Sequence, residues 1–415
     1  MPVEPGNQPV ARIGFLEGLR GYLAIWVMLV HVGYFVGLSR FNSEPMFPGF
    51  VARALSYLDL TGYDAVKLFM ILSGFVIFYL LDQGRESYAA FIVRRFFRLW
   101  PIFAACVALG VLTNPTYIEV LQRNAWSQNF WIRHQCDVAK VIQANPLPYL
   151  AVNATMMHGV VPKAILPNAS AAFSSLSWCI SAEWQFYLLA PLLYAAMRRL
   201  WGASLLTALV VAAVAFEHSF DFWINPTHSF LPMQIHWFFT GLASYLIYRE
   251  IRGAGLNGKT RLLIALLICF MAAVAILQPR DGLAMWLWLP VFGVLIDSVT
   301  TRRSPAARLL LRLVDNPVSR YFGRISYPIY LLHWPAIIVA VKALMVFAPQ
   351  SSWLVAEVIL LVAVSALTWP LAHLAHHYLE APAMDFGKRV AAMLPKRAPT
   401  LARSRLVSPK QELSS

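Results

Sequence analysis

The chain has 415 residues, of which 59% are hydrophobic and 13% are charged, and its formal net charge is +14. Soluble globular proteins contain about 25% charged residues, and disordered chains have low hydrophobicity, so this composition excludes both classes. An integral membrane protein remains. The chain is long enough for one bundle of about ten membrane helices joined by short loops.

Long apolar runs that end at charged residues, Pro or Gly predict the membrane helices. We predict an all-α bundle of about ten transmembrane helices, with nine and eleven as the alternatives. The predicted helices lie at 15–38, 63–81, 99–113, 173–197, 203–216, 230–248, 262–277, 283–299, 325–347 and 353–376. Residues 114–172 form the longest segment between predicted spans, and they either cover an acceptor site or form a simple long loop.

The basic residues favour one side of this topology. Of the 34 Lys and Arg residues, 25 fall on the side that carries the N-terminus. This bias predicts that both termini are cytoplasmic. It also explains the net charge, because basic loops bind an anionic leaflet, and we expect no nucleic-acid partner. Cysteines and histidines lack metal-site spacing, so we expect no metal.

The predicted domain organisation follows from the same pattern. Residues 1–382 are predicted to form one membrane domain. The remaining segment, 383–415, is basic and then contains Ser, Pro and Gln, which predicts a disordered cytoplasmic tail.

The first predicted helix contains Arg20 and His31. Ionisable side chains inside a span are costly, so they are candidates for function. A separation of eleven residues places both on one helix face, about 16 Å apart along the axis. In the simplest alternative, Arg20 extends to the membrane interface and His31 packs as a structural histidine.

The fourth predicted helix contains Glu183, a carboxylate that needs a partner or a proton at this depth. Counted from the cytoplasmic ends, His31 lies about 24 Å deep and Glu183 about 21 Å deep. We therefore predict that Glu183 orients His31, which acts on an alcohol as a general base. His333 lies about 12 Å past the start of its helix at Ile325, so it is predicted to line the donor path or to cap a proline kink.

The segment RRFFRLWP at 94–101 contains Arg95 and Arg98 on one side of a helical turn. Guanidinium groups suit phosphate, and a pair of them predicts a polyanion site. A positive-inside anchor is the alternative. In the second predicted helix, Ser73 and Gly74 either allow close helix packing or supply a polar group to the site.

Six motifs in order resemble the acyltransferase 3 family of membrane acyltransferases. They are FLEGLRGYLAIWVMLVH at 15–31, LFMILSGFVI at 68–77, RRFFRLWP at 94–101, LSWCISAEWQFYLLAPLL at 176–193, ISYPIYLLHWP at 325–335 and YLEAP at 378–382. Each motif is weak alone, but the ordered series spans nearly the whole predicted membrane portion.

The resemblance implies that an acyl group, usually acetyl from acetyl-CoA, is transferred to a hydroxyl, usually of a carbohydrate or glycan. It also implies a multi-pass protein of a cell membrane, most simply a bacterial inner membrane. His31 would correspond to the family's essential histidine, Arg20 to its first-helix arginine, Arg95 and Arg98 to its donor-binding pair, and Glu183 to its carboxylate. His31 would act as a base or as a transient acyl carrier, and these two routes stay open.

A proton-coupled transporter or exporter of a lipid-linked or small hydrophobic substrate is the alternative function. In that case Arg20, His31 and Glu183 would form a proton relay. The arginine pair separates the two functions, because an acyltransferase needs a site for a polyanionic donor and such a transporter does not. A purely structural scaffold would leave His31 and Glu183 unexplained.

Overall fold

The computed structural model describes residues 11–36, 62–84, 86–124, 126, 130–216, 229–278, 282–300 and 304–395. Within these ranges the chain forms helices and no strands. Side chains of residues 11–13, 130, 131 and 200 are outside the description.

The helices are numbered α1 to α15 in chain order. The first eight are α1 (Ala11–Val36), α2 (Gly62–Asp82), α3 (Tyr88–Arg123), α4 (Phe130–Ala144), α5 (Pro146–Ala154), α6 (Ser177–Met197), α7 (Leu200–Ala215) and α8 (Leu231–Ala254). The others are α9 (Gly258–Leu277), α10 (Leu283–Asp297), α11 (Pro305–Val314), α12 (Pro317–Arg324), α13 (Ser326–Phe347), α14 (Trp353–Ala375) and α15 (Ala381–Met393). Two 3-10 turns, His158–Val160 and Ala169–Ala171, precede α6, and a π-helical segment, His376–Glu380, joins α14 to α15.

Six helical stretches are long and apolar enough to cross a membrane. They lie at Gly14–Val36, Gly62–Asp82, Tyr88–Arg123, Gly258–Leu277, Ser326–Phe347 and Trp353–Met393. Helices α7 and α10 are apolar but shorter, and α6 and α8 occupy two further predicted spans. Each of the ten predicted segments therefore overlaps a helix. The count of ten spans and the cytoplasmic termini stay predictions.

The third predicted helix, 99–113, is much too short. Helix α3 runs through Tyr88–Arg123 and contains Pro101 and Pro115. The predicted long loop at 114–172 is also largely helical, because it contains the end of α3 together with α4 and α5. The charged residues up to Arg98 set the predicted start and Pro115 the predicted end, whereas the packing of α3 against α13 and α15 extends the helix past both.

A helix also crosses the predicted domain boundary at residue 382. Helix α15 packs against α3, where Phe386 contacts Phe97 edge to face at 5.1 Å between ring centroids. Residues 383–393 of the predicted tail are therefore helical, which their composition alone does not indicate. Residues 396–415 lie outside the described residues.

The outer surface of the bundle is strongly apolar. Large apolar side chains such as Ile276 (76% exposed), Val362 (65%) and Phe347 (86%) point away from the protein. A continuous apolar surface of this kind would aggregate in water but is stable against lipid tails. The described chain is a multi-pass membrane protein.

Close backbone contacts at glycines set the spacing of the helices in the interior. At the crossing of α2 and α8, a Cβ on Gly241 would lie 1.8 Å from the Ile71 carbonyl oxygen, and one on Gly74 would lie 2.2 Å from that of Phe238. Glycines at the contact let the two backbones touch, as in other membrane bundles. The Ser-Gly pair therefore does allow close packing, through Gly74.

Candidate active site

The contact between α1 and α12 determines the position of His31. A Cβ on Gly21 would lie 2.8 Å from the Gly323 backbone nitrogen, and one on Gly323 would lie 1.9 Å from the Glu17 carbonyl oxygen. Residues 21 and 323 are therefore at one level. Helix α1 continues from this level and α13 begins three residues after Gly323, and the residues ten positions beyond the two glycines meet again. These residues are His31 and His333.

The two imidazoles form a direct pair. Nε2 of His333 lies 3.3 Å from Nδ1 of His31, and the ring centroids are 5.2 Å apart. Each Nδ1 also lies within bonding distance of the carbonyl one turn earlier, at 2.8 Å to Val27 for His31 and 2.9 Å to Ile329 for His333.

These contacts select one tautomer for each ring. Because the carbonyls of Val27 and Ile329 are acceptors only, both Nδ1 atoms donate to them. The single Nδ1 proton of His31 is then shared between the Val27 carbonyl, at 2.8 Å, and the unprotonated Nε2 of His333, at 3.3 Å. The Nε2 of His31 is then unprotonated and has no hydrogen-bond partner among the described residues. His333 is fully buried whereas His31 is partly exposed, so His31 is the ring that can reach a substrate.

This pairing differs from the predicted one. The depth count began at Phe15 for His31 and at Ile325 for His333, which made His333 appear about 12 Å shallower. The glycine contact places Gly323 level with Gly21, so Ile325 is not level with Phe15. The two depths were therefore counted from different levels. No hydrogen bond joins Glu183 to His31. The side chain within bonding distance of His31 in the structure is His333.

Glu183 lies instead between α2 and α6. Its carboxylate accepts hydrogen bonds from Ser73 Oγ, at 3.2 Å, and from the Tyr187 hydroxyl one turn further along α6. Equal depth does not make two side chains meet, because their angular positions on the helices must also agree. Ser73, which the sequence left with two possible roles, donates to the site carboxylate.

A cavity that we call the inner cavity opens beside Glu183. Its volume is about 50 Å³, and it is partly open to the surface. Its polar lining includes Arg20, Ser73, Glu183, Ser326, Tyr327 and Tyr330. The Tyr330 ring is 6.3 Å from the His333 ring, so one aromatic side chain separates the inner cavity from the imidazole pair. The predicted residues Arg20 and Glu183 share this cavity.

Arg95 packs against the Tyr187 ring. Its guanidinium is 5.9 Å from the centroid of the Tyr187 ring and 5.8 Å from that of Phe91. Its Nε atom is buried and has no hydrogen-bond partner among the described residues. A buried donor without a partner is costly, so Arg95 retains a group that an anion can satisfy.

Arg98 is held by a carboxylate that the sequence analysis did not single out. It donates to Glu380, which is fully buried and also lies 2.6 Å from Nδ1 of His376. The Arg98 guanidinium lies 5.6 Å from the centroid of the Tyr327 ring, which lines the inner cavity. Glu380 ends the π-helical segment, and such segments frequently occur at functional sites. The motif YLEAP contains Glu380, and this was the signal available in the sequence.

The predicted site residues therefore form three neighbouring groups. Arg95 packs against the Tyr187 ring and Arg98 against the Tyr327 ring. The pair of His31 and His333 contacts the Tyr330 ring through His333. The inner cavity, with Arg20 and Glu183, lies between these groups. Within the described ranges, no cluster of three or more His, Cys, Asp or Glu side chains could hold a metal ion.

Comparisons with known proteins identify the family of this chain. The model of the acyltransferase 3 family, described as an acyltransferase domain, matches residues 13–373. The chain is also 25% identical over 359 residues to the acyltransferase MdmB of Streptomyces mycarofaciens, a match that covers 79% of this chain and 80% of the relative. No solved structure matches. The family match covers all but the ends of the chain and favours the enzyme over the transporter. This chain belongs to the acyltransferase 3 family and is an acyltransferase.

Proposed function

We propose that this membrane enzyme transfers an acetyl group from cytoplasmic acetyl-CoA to a hydroxyl of a carbohydrate or glycan acceptor. The observation that carries the proposal is a series of an arginine pair, the inner cavity and an imidazole pair with one free basic nitrogen, each part separated from the next by a tyrosine ring. These are the three parts that a thioester-dependent acyl transfer needs: a site for a polyanion, a channel and a base.

The donor is assigned to the arginine end of the inner cavity. Arg95 offers its buried, unsatisfied Nε, and Arg98 adds a second guanidinium whose position Glu380 determines. Forked guanidinium donors suit the phosphates of CoA. The pantetheine arm would pass Glu183 and Tyr330 toward the imidazole pair.

The acyl transfer follows from the tautomers. Nε2 of His31 accepts the proton of the acceptor hydroxyl while that oxygen attacks the thioester carbonyl. The carbon–sulfur bond breaks, an ester bond forms, and the proton passes to the CoA thiolate. During this step His31 is cationic, and the hydrogen bond from its Nδ1 to His333 becomes charge-assisted and stronger. His31 is therefore the catalytic base and His333 its positioning residue.

Glu183 has a different role in this proposal. Its partners Ser73 and Tyr187 hold it in the inner cavity together with Arg20, where it affects the pantetheine path and the local charge. We expect Glu183→Gln to change the Kd for acetyl-CoA more than the protonation of His31.

The proposal is tested with purified protein in nanodiscs, by measuring acetyl-CoA binding and its slow hydrolysis to CoA. His31→Ala should bind acetyl-CoA and lose hydrolysis. Arg95→Ala should weaken binding by about 10- to 150-fold, because hydrogen bonds to charged groups contribute about 1.5–3 kcal/mol. Arg95 is preferred to Arg98, because Arg98→Ala would leave the buried Glu380 carboxylate without its cation.

Arg94→Ala is the matched control. Arg94 is adjacent to Arg95 but forms an ion pair with Glu86, and both side chains are more than one-third exposed. The Arg94→Ala variant should bind and hydrolyse acetyl-CoA as the wild type does. Equal losses in the Arg94 and Arg95 variants would reject the phosphate site, and folded wild-type protein that does not bind acetyl-CoA would reject the donor.

A further inference from the structure

The hydroxyl of Ser326 lies in the wall of the inner cavity without a hydrogen-bond partner. Ser326 is the first residue of α13, and its side chain is fully buried. It lines the inner cavity, and its Oγ atom has no partner among the described residues. A buried hydroxyl without a partner is costly, so one that is retained in a cavity wall is available to a ligand.

Other helical hydroxyls of this protein do have partners. Serine and threonine side chains inside helices commonly donate to the carbonyl one turn earlier. Bonds of this kind, at 2.7–2.8 Å, are formed by Thr113, Thr207, Thr240 and Ser244. Between α12 and α13 the chain leaves helical geometry at Ile325, where φ is −93° and ψ is 11°. The carbonyl one turn before Ser326 therefore belongs to a different helix, and the hydroxyl does not use it.

Ser326 lies on the same face of α13 as His333. Seven residues separate them, which is about 20° short of two full turns and about 10 Å along the helix axis. Tyr330 lies between them, and it also lines the inner cavity. This face of α13 therefore leads from Ser326 past Tyr330 to the imidazole pair.

The space beside Ser326 suits one polar group of a narrow chain. The inner cavity has a volume of about 50 Å³. A water-sized group needs about 10–15 Å³, so the cavity holds about three to five such groups, which is the size of an amide with its flanking carbon atoms. The apolar side chains of Phe69, Met70 and Phe238 line the same space and suit methylene groups.

We propose that Ser326 binds an amide carbonyl in the pantetheine arm of the acyl donor. This inference rests on the proposed function. An extended chain gains about 3.5 Å for every three bonds, so the second amide carbonyl of the arm, eight bonds from the sulfur, lies about 9 Å from it. This length agrees with the distance of about 10 Å along α13 from Ser326 to His333. The Ser326 hydroxyl donates to that carbonyl and holds the thioester at the level of His31.

The test compares two ligands of the full-length protein in nanodiscs. Acetyl-CoA contains the pantetheine arm, whereas adenosine 3′,5′-bisphosphate contains phosphates but no amide. Loss of one hydrogen bond in Ser326→Ala should raise the Kd for acetyl-CoA about 2- to 12-fold. The same variant should leave the Kd for the bisphosphate unchanged, whereas Arg95→Ala should raise both.

The ligand-free Tm separates a ligand-binding role from a structural one. Ser326→Ala removes a hydroxyl that has no protein partner, so its Tm should equal or exceed that of the wild type. Thr368→Val is the matched control. The Thr368 hydroxyl of α14 is also fully buried and without a partner among the described residues, but Thr368 does not line the inner cavity. This control should also keep its Tm, and it should bind both ligands as the wild type does.

The outcomes separate the two proposals. If Ser326→Ala leaves the Kd for acetyl-CoA unchanged, or raises it equally for the bisphosphate, the amide contact is overturned and the donor assignment stands. A lowered ligand-free Tm of Ser326→Ala would show a structural role and would also overturn the contact. Folded wild-type protein that does not bind acetyl-CoA would reject the donor assignment and this inference together.

Discussion

Replacing His333 by Phe removes the ring nitrogen that accepts from His31 and keeps an aromatic ring of similar size. Nε2 of His333 is 3.3 Å from Nδ1 of His31, and both rings are neutral before the reaction. A neutral hydrogen bond contributes about 0.5–1.5 kcal/mol, whereas one from a charged donor contributes about 1.5–3 kcal/mol. The bond therefore becomes stronger as His31 accepts the proton.

The expected loss follows from that difference. Because the weaker neutral bond is lost in the ground state as well, kcat falls by the difference of about 1–1.5 kcal/mol, or about 5- to 12-fold, while the Kd for acetyl-CoA stays near the wild-type value. His31 still donates to the Val27 carbonyl, so His333→Phe should retain more activity than His31→Ala.

The assay is hydrolysis of acetyl-CoA at saturating donor, with Kd measured separately. His236→Phe is the matched control, because His236 is a buried histidine of α8 that packs on Trp237 outside the site. A His333→Phe enzyme with kcat within twofold of the wild type, and with unchanged donor binding, would refute the positioning role.

Three further predictions concern the helices that support the site. Glu380→Gln leaves Arg98 as a buried cation without a counter-ion, so we expect a loss of about 3 kcal/mol in stability and weaker acetyl-CoA binding, measured as Tm and Kd. Gly21→Ala puts a Cβ 2.8 Å from the Gly323 nitrogen, so α1 must move, and both Tm and kcat should fall. Burial lowers the pKa of His158 to about 4, and between pH 6.5 and about 4 the unfolded state therefore binds more protons. Stability should fall by up to about 3 kcal/mol as the pH drops through this window, and a pH series of Tm should lose this component in His158→Gln.

Each of these predictions has its own contrary result. Glu86→Gln alters an exposed ion pair of the same type, and equal effects in the Glu86 and Glu380 variants would show that burial is unimportant. A Cβ on Gly253 would have no other atom within 4 Å, so Gly253→Ala should fold normally, and equal damage at both glycines would reject the contact argument. If the Tm of the wild type and of His158→Gln depends on pH in the same way, the lowered pKa of His158 is rejected.

The local sequence pattern determined the class of protein and most of the helices. Apolar runs do this because the bilayer requires long stretches without charge, and the same requirement made Arg20, His31 and Glu183 conspicuous. The six ordered motifs also indicated the family, which the family match confirms. The bounds of helix α3 were the main error, because charged residues and proline signal a helix boundary locally although packing can extend the helix past them.

Only the tertiary structure decided which of these residues meet. His31 and His333 are 302 positions apart, and their contact depends on the glycine crossing of α1 with α12, which sets the level of both helices. Glu183 had a matching predicted depth, but its carboxylate meets Ser73 and Tyr187 instead. Helical periodicity determines the face and the depth of a residue within its own helix. Which side chain a residue meets depends on how separate helices are displaced and rotated against one another. That displacement and rotation arise from packing over the whole bundle.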